Sequence, residues 1–183
     1  MHASLLPHPS SRPGGVRAID GDLERAGARL TLRYTLRGDL AGLRIPPLAP
    51  TRPGRDLWRH TCFEAFLGLA GASPYHELNF SPSGEWAAFA FRAYREGGPL
   101  ADSRLAPRLT VQRDADRLVL DALVGLDRLA PEYGRGRLRL ALSAVVEAAD
   151  GALSYWALRH PPGGPDFHHA DGFGLALEPA GAG

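Results

Sequence analysis

Apolar and polar positions alternate along much of this chain. Over residues 28–37, Leu30, Leu32, Tyr34 and Leu36 share one parity, and Thr31, Arg33, Thr35 and Arg37 share the other. A period of two predicts a strand with one buried and one wet face. An earlier strand is expected over Val16–Ile19, with Gly21-Asp22 as the turn between them. Residues 38–56 carry Gly42, Pro46, Pro47, Pro50 and Pro53 and read as an irregular loop. A loop that long in a compact domain is a mild pointer to function. The densest apolar stretch is Leu57–Tyr94, with two of the three Trp, the only Cys and the only Asn. It predicts three strands, Trp58–Leu69, Tyr75–Phe80 and Glu85–Tyr94, joined by turns at Gly71–Pro74 and Ser81–Gly84. Beyond it come a hairpin (Arg108–Gln112 and Arg117–Leu123), one helical turn within Leu126–Tyr133, a second hairpin (Arg137–Glu147 and Ala152–Arg159) and a closing strand, Phe173–Leu177. About nine or ten strands without a long amphipathic helix predict an all-β antiparallel sandwich. The length suits one domain over 1–183.

Composition narrows the function classes. Net charge is +1, so no strong field favours nucleic acid or an anionic membrane. No segment approaches the roughly 20 apolar residues of a membrane span. The opening MHASLLPHPSSRPGG has neither the basic start nor the apolar run of an export signal, which sets the expectation of a cytoplasmic protein. Cys62 stands alone, which excludes an intrachain disulfide and a Cys-based metal cage within one chain. All 21 basic residues are Arg. Without Lys there is no Schiff-base chemistry and no phosphate-loop Lys. Met1 is the only Met, so no internal thioether can ligate a haem iron.

Candidate chemistry centres on Glu64, a carboxylate in mid-strand between Phe63 and Phe66. Such a group needs solvent, a cavity or a partner. If Phe66 pairs with Glu77 across the 71–74 turn, then Glu64 meets Asn79, and Glu64, Glu77 and Asn79 share one sheet face. A slip of one residue breaks the cluster. The cluster suits sugar hydroxyls or a hard cation such as calcium; the plainer alternative is an ion pair of Glu64 with Arg59 or Arg92. Trp58, Trp86 and Trp156 are candidate stacking platforms, Trp86 foremost because it follows a turn, against the alternative of core packing. His60, Cys62 and Glu64 share one parity. Same-face neighbours stand about 6.5–7 Å apart, too far for a nucleophile relay, so catalysis is not expected. His160, Asp166, His168 and His169 cluster around a Pro/Gly loop and are candidate ligands for a divalent metal or a bis-His haem, although their spacing fits no metal signature.

The central stretch resembles the DOMON-like domains and the related family 9 carbohydrate-binding modules. The resemblance rests on Leu57-Trp58, on Cys62-Phe63-Glu64-Ala65-Phe66-Leu67, and on Tyr75-His76-Glu77-Leu78-Asn79-Phe80-Ser81-Pro82-Ser83-Gly84-Glu85-Trp86. Tyr155-Trp156-Ala157-Leu158 and His160 to His168 add to it, and the match runs from about Leu57 onward. It implies a jelly-roll β-sandwich that binds haem or a sugar, usually without catalysis; the C-terminal segments look like the stand-alone bacterial members, many of which have no assigned ligand. Haem-binding relatives commonly use a Met with a His or Lys as axial ligands, and this chain has neither an internal Met nor a Lys. The expected function is therefore a non-catalytic small-ligand binder, carbohydrate first, using Trp58, Glu64, Glu77, Asn79, Trp86, Arg92 and Trp156. The alternative is a haem or metal binder using the histidines. The sequence requires no cofactor and sets no oligomeric state.

Overall fold

Thirteen strands follow one another along residues 1–179, the part of the chain that the computed structural model describes. Of the domain expected over 1–183, residues 180–183 lie outside the described residues. The strands are β1 (His2–Pro7), β2 (Val16–Ala26), β3 (Arg29–Gly38), β4 (Arg52–Pro53), β5 (Cys62–Leu69), β6 (Tyr75–Phe80), β7 (Glu85–Ala93), β8 (Glu96–Pro99), β9 (Arg108–Arg113), β10 (Arg117–Gly125), β11 (Leu138–Glu147), β12 (Leu153–Ala157) and β13 (Leu175–Leu177). One helical turn, α1 (Leu126–Leu129), lies between β10 and β11.

The strands form one continuous sheet in the order β4-β7-β6-β5-β11-β12-β1-β2-β3-β10-β9, with β13 on β11 and β8 on β7. The all-β expectation holds. The purely antiparallel sandwich does not: the sheet is mixed, because β4 runs parallel to β7, and it curls into a half-barrel without a break. The missing break has a local cause in β1. Its first part, His2–Leu5, pairs with β2, and its last part, Leu6–Pro7, pairs with β12. One six-residue strand thus carries the hydrogen bonding from one arm of the sheet to the other.

Several boundaries differ from the pattern-based expectation. Strand β2 runs on through Gly21-Asp22, and the turn falls instead at Gly27, with φ +60°. Gly21 serves packing: a Cβ there would lie 2.6 Å from Leu142 Cδ1. The start of the expected Trp58–Leu69 strand is a 3-10 turn, Leu57–Arg59. Strands β1, β4 and β8 differ from the expectation: β4 and β8 are too short to show a period, and β1 divides its six residues between two partners.

The core lies between the two arms. Leu30, Leu32, Tyr34 and Leu36 of β3 pack in one cluster with Phe63, Ala65 and Leu67 of β5, and Leu118, Leu120, Leu138, Leu140 and Leu142 join them. The other face of β3 is wet, as its Arg row predicts: Arg33 pairs with Asp121 at 2.6 Å, and Arg37 pairs with Asp20. Tyr34 joins the arms most directly. Its ring stacks on Phe63 with centroids 5.0 Å apart, and its hydroxyl donates to the Glu64 carbonyl at 2.7 Å in a fully buried place. Tyr34→Phe keeps the ring and deletes the donor. It should lower the unfolding free energy by about 1–3 kcal/mol, or roughly 2–4 °C in Tm for each kcal/mol. Calorimetry would read the shift, and an unchanged Tm would mean this bond does not hold the arms.

Candidate functional site

Strand β5 is buried on both faces. Phe63, Ala65 and Leu67 enter the core, so Cys62, Glu64 and Phe66 point the other way. The register then decides what they meet. Glu64 lies opposite Asn79 and Phe66 opposite Glu77 on β6, while Glu77 lies opposite Phe89 and Tyr75 opposite Phe91 on β7. On the other side Glu64 faces Ser143 of β11. This is the register that puts Glu64, Glu77 and Asn79 on one face.

That face is the floor of a cleft of about 550 Å³. Phe66, Phe89, Phe91, Trp58, Tyr155 and Phe167 supply its aromatic lining, and Glu64, Glu77, Arg95 and His168 are its ionisable groups. Phe167 and His168 come from the loop after β12. His168 packs edge-on against Phe66 and Phe91, with centroids 5.1 and 5.0 Å away. Its Nδ1 lies 2.8 Å from the Tyr75 hydroxyl, and its Nε2 lies 3.6 Å from Glu77 Oε2. Tyr75 accepts the backbone N–H of Arg95 at 3.1 Å. Its own proton then goes to His168 Nδ1, which leaves Nε2–H turned to Glu77.

Arg95 sits in the β7–β8 turn with φ 55°, a left-handed conformation uncommon outside glycine. Its guanidinium donates to Asp166 Oδ1 at 2.9 Å and to the Tyr94 hydroxyl at 3.3 Å. Tyr94 in turn donates to Asp166 at 2.7 Å. The hairpin and the loop are tied together at the edge of the cleft.

Burial dominates the electrostatics of the floor. Glu64 is 2 % and Glu77 6 % exposed. Desolvation pushes the Glu64 carboxyl well above the usual range, the nearby Glu77 pushes it further, and one hydrogen bond from Ser143 Oγ at 3.3 Å opposes this. Desolvation also raises Glu77 to about 7, against the pull of Asn79 Nδ2 at 2.8 Å and of Arg95. His168 is lowered to about 4, first by burial and then by Arg95, with Asp166 opposing. An ionised Glu77 at 3.6 Å would favour a charged imidazole, but burial acts against charge on both groups and keeps the pair neutral in mildly acidic solution. Cys62, on the same face, is fully buried and its thiol is pushed well up by desolvation, which leaves it an inert thiol.

Other expected site residues lie elsewhere. Trp86 and Trp156 are each 3 % exposed and belong to the core. Parity explains Trp86: it shares a face with Ala88, whereas Phe89 and Phe91 take the cleft side. Trp156 donates to Ser154 Oγ at 3.1 Å, and its neighbour Tyr155 faces the cleft. Trp58 remains in the site, 46 % exposed at its edge, with the Arg59 guanidinium 4.9 Å from its ring. Arg92 lies outside the cleft and pairs with Glu96 at 2.9 Å. Arg59 lies 3.9 Å from Asp56, so neither Arg is the partner of Glu64.

The expected metal set is not assembled. His160 Nε2 donates to the Leu6 carbonyl, Asp166 anchors Arg95, and His169 Nδ1 accepts the Asp171 N–H. Only His168 enters the cleft. Among the described residues no three His, Cys, Asp or Glu side chains are grouped to hold a metal ion. His60 turns to Glu147 at 2.7 Å and forms no relay with Cys62 and Glu64.

Sequence reasoning missed Phe89, Phe91, Arg95, Tyr155 and Phe167 as lining. For Phe89 and Phe91 the signal was present: they are the residues of β7 that fall opposite Glu77 and Tyr75. Arg95 and Phe167 had none, because turns and loops carry no period.

No family model matches this sequence, and no curated protein matches it. Solved structures do resemble the fold. A candidate carbohydrate-binding protein from Bacteroides uniformis ATCC 8492 aligns with a TM-score of 0.72 at 14% identity, covering 95% of this chain and 84% of that one. A family 9 carbohydrate-binding module from Caldicellulosiruptor kristjanssonii, in complex with cellotriose, aligns with a TM-score of 0.53 at 9% identity, covering 89% and 74%. Identities this low show a shared fold.

The opposed shifts of Glu77 and His168 give a test of the site's electrostatics. Between pH 4.5 and 7 the folded state holds the Glu77 proton that the unfolded state releases, so this group makes stability fall as pH rises. Between pH 4 and 6.5 the unfolded state binds a His168 proton that the folded state refuses, so this group makes stability rise with pH. Glu77→Gln should tilt the stability curve upward relative to the parent, and His168→Asn should tilt it downward, each by roughly 3 kcal/mol across its window. Urea unfolding between pH 4 and 7 would measure both. Parallel curves for parent and variants would mean the two groups titrate normally.

Proposed function

We propose that this chain is a non-catalytic carbohydrate-binding domain of DOMON-like type, and that the cleft over β5, β6 and β7 is its binding site. One observation carries the reading: six aromatic side chains line a cleft whose sheet face holds two buried carboxyls and an amide. Aromatic faces stack against the C–H faces of sugar rings, while a few fixed polar groups meet the hydroxyls. A carboxyl kept in its acid form both donates and accepts, as a sugar hydroxyl does. The cleft volume falls within the roughly 300–1,000 Å³ of small-ligand sites. The fold shared with carbohydrate-binding structures agrees with this reading.

The same geometry favours binding over hydrolysis. A glycosidase places an acid and an ionised carboxylate on either side of the scissile bond. Here both carboxyls lie on one floor, and burial pushes both toward the acid form.

Titration calorimetry with a panel of neutral mono- and oligosaccharides tests the proposal. Saturable binding is expected with at least one of them. Phe89→Ala should weaken it about tenfold, or ~1.4 kcal/mol, with the fold retained. Trp86→Phe, a core change, should lower Tm with little effect on affinity. No binding by any saccharide, or binding that Phe89→Ala leaves unchanged, would remove this reading.

A further inference from the structure

We infer that the cleft recognises an ammonium group, carried on an amino-bearing saccharide if the preceding reading holds. The argument starts from a missing charge. Glu64 and Glu77 are diagonal neighbours across β5 and β6, a relation that sets backbones about 7–8 Å apart. A buried carboxyl ionises readily only beside a cationic partner, and otherwise keeps its proton. Here Glu64 receives only the Ser143 hydroxyl, and Glu77 receives the Asn79 amide and the distant His168 ring.

Among the described residues, the neighbouring elements bring no guanidinium into ion-pair contact with either carboxyl. β11 offers Ser143 and Val145; β5 adds Cys62 and Phe66; β7 adds Phe89 and Phe91. The loop brings His168, held neutral by burial, and Asp166. Among the described residues Arg95 is the one cationic side chain lining the cleft; it pulls on Glu77 from a distance, but Asp166 and Tyr94 already hold its guanidinium. Independently, Asn79, at 0 % exposure on the same face, keeps its Oδ1 without a hydrogen-bond partner.

The lining fits the same ligand. Aromatic faces attract a cation within about 6 Å of the ring centroid, more strongly where water is excluded. An ammonium carries three N–H donors and no acceptor. It would meet the carboxyls with opposite charge, where a neutral hydroxyl brings none. Binding it would ionise carboxyls that burial now keeps protonated, so protons leave as the ligand enters.

The test uses the whole protein and four probes: a glucosamine disaccharide, its N-acetylated counterpart, cellobiose and cyclohexylammonium. Titration calorimetry at pH 6 in two buffers of different ionisation enthalpy gives affinity and proton release together. The inference expects the free-amine disaccharide to bind at least tenfold tighter than its acetylated form, with about one proton released. Glu77→Gln should reduce that preference and the proton release. Equal binding of the three saccharides would overturn the ammonium inference and leave the carbohydrate reading standing. Binding of cyclohexylammonium alone would do the reverse. No binding by any probe would overturn the ammonium inference, and the panel of neutral saccharides would then decide the carbohydrate reading. The comparison among ligands on the parent protein decides the matter even if the variant does not fold.

Discussion

Strand β5 must satisfy two environments at once, and much of the structure follows from that. Its inner residues, Phe63, Ala65 and Leu67, close the core against β3, while Cys62, Glu64 and Phe66 are covered from outside. A strand buried on both faces can carry a carboxyl only if that carboxyl stays neutral or is given a charge partner. The Glu64 backbone is fixed by the Tyr34 hydroxyl, so the side chain on the far face is fixed with it. Packing of the core and placement of the site are thus one constraint seen from two sides of a strand.

The cover on the outer face comes from distant sequence. Phe66, Tyr75 and Ala141 form a small apolar cluster of their own, against which Phe91, Phe167 and Phe173 pack. Arg139 lies over Phe173, 4.1 Å from the ring centroid, and donates to the Ala72 carbonyl at 2.9 Å. These contacts seat the loop after β12, and the Arg95–Asp166 pair holds it at the hairpin. The cleft is therefore bounded by anchored pieces, and a ligand would meet a largely preformed wall, which lowers the ordering cost of binding.

Charge is distributed in two manners. On the wet face of β2, β3 and β10 the Arg side chains find carboxylates in the open, where each pair is worth little, about 0–1 kcal/mol. In the cleft the two carboxyls are buried, and the Arg95 guanidinium that lines it is held by Asp166. The same residue types give a solvated surface in one place and two groups resisting ionisation in the other. Burial separates the two cases first, and the Arg partners that only the surface carboxylates have separate them further.

The sequence by itself determined the strands with a clear period. β3, β10 and β11 lie close to where alternation puts them, and β5, β6 and β7 lie close to where dense apolar runs between turn signals put them. The register that groups Glu64, Glu77 and Asn79 was one the sequence allowed, and the tertiary structure selected it. What only the tertiary structure decided is what covers each face. Trp86 and Trp156 attract attention as aromatic residues, yet their parity sends them into the core, and Phe89 and Tyr155 beside them take the site. His168 reaches the cleft while His160 and His169 serve local hydrogen bonds, because a loop's path is set by what it packs on. β1 escapes pattern reading for the same reason. Its six residues split between two partners, β2 and β12, and no period in one strand records where a sheet must close.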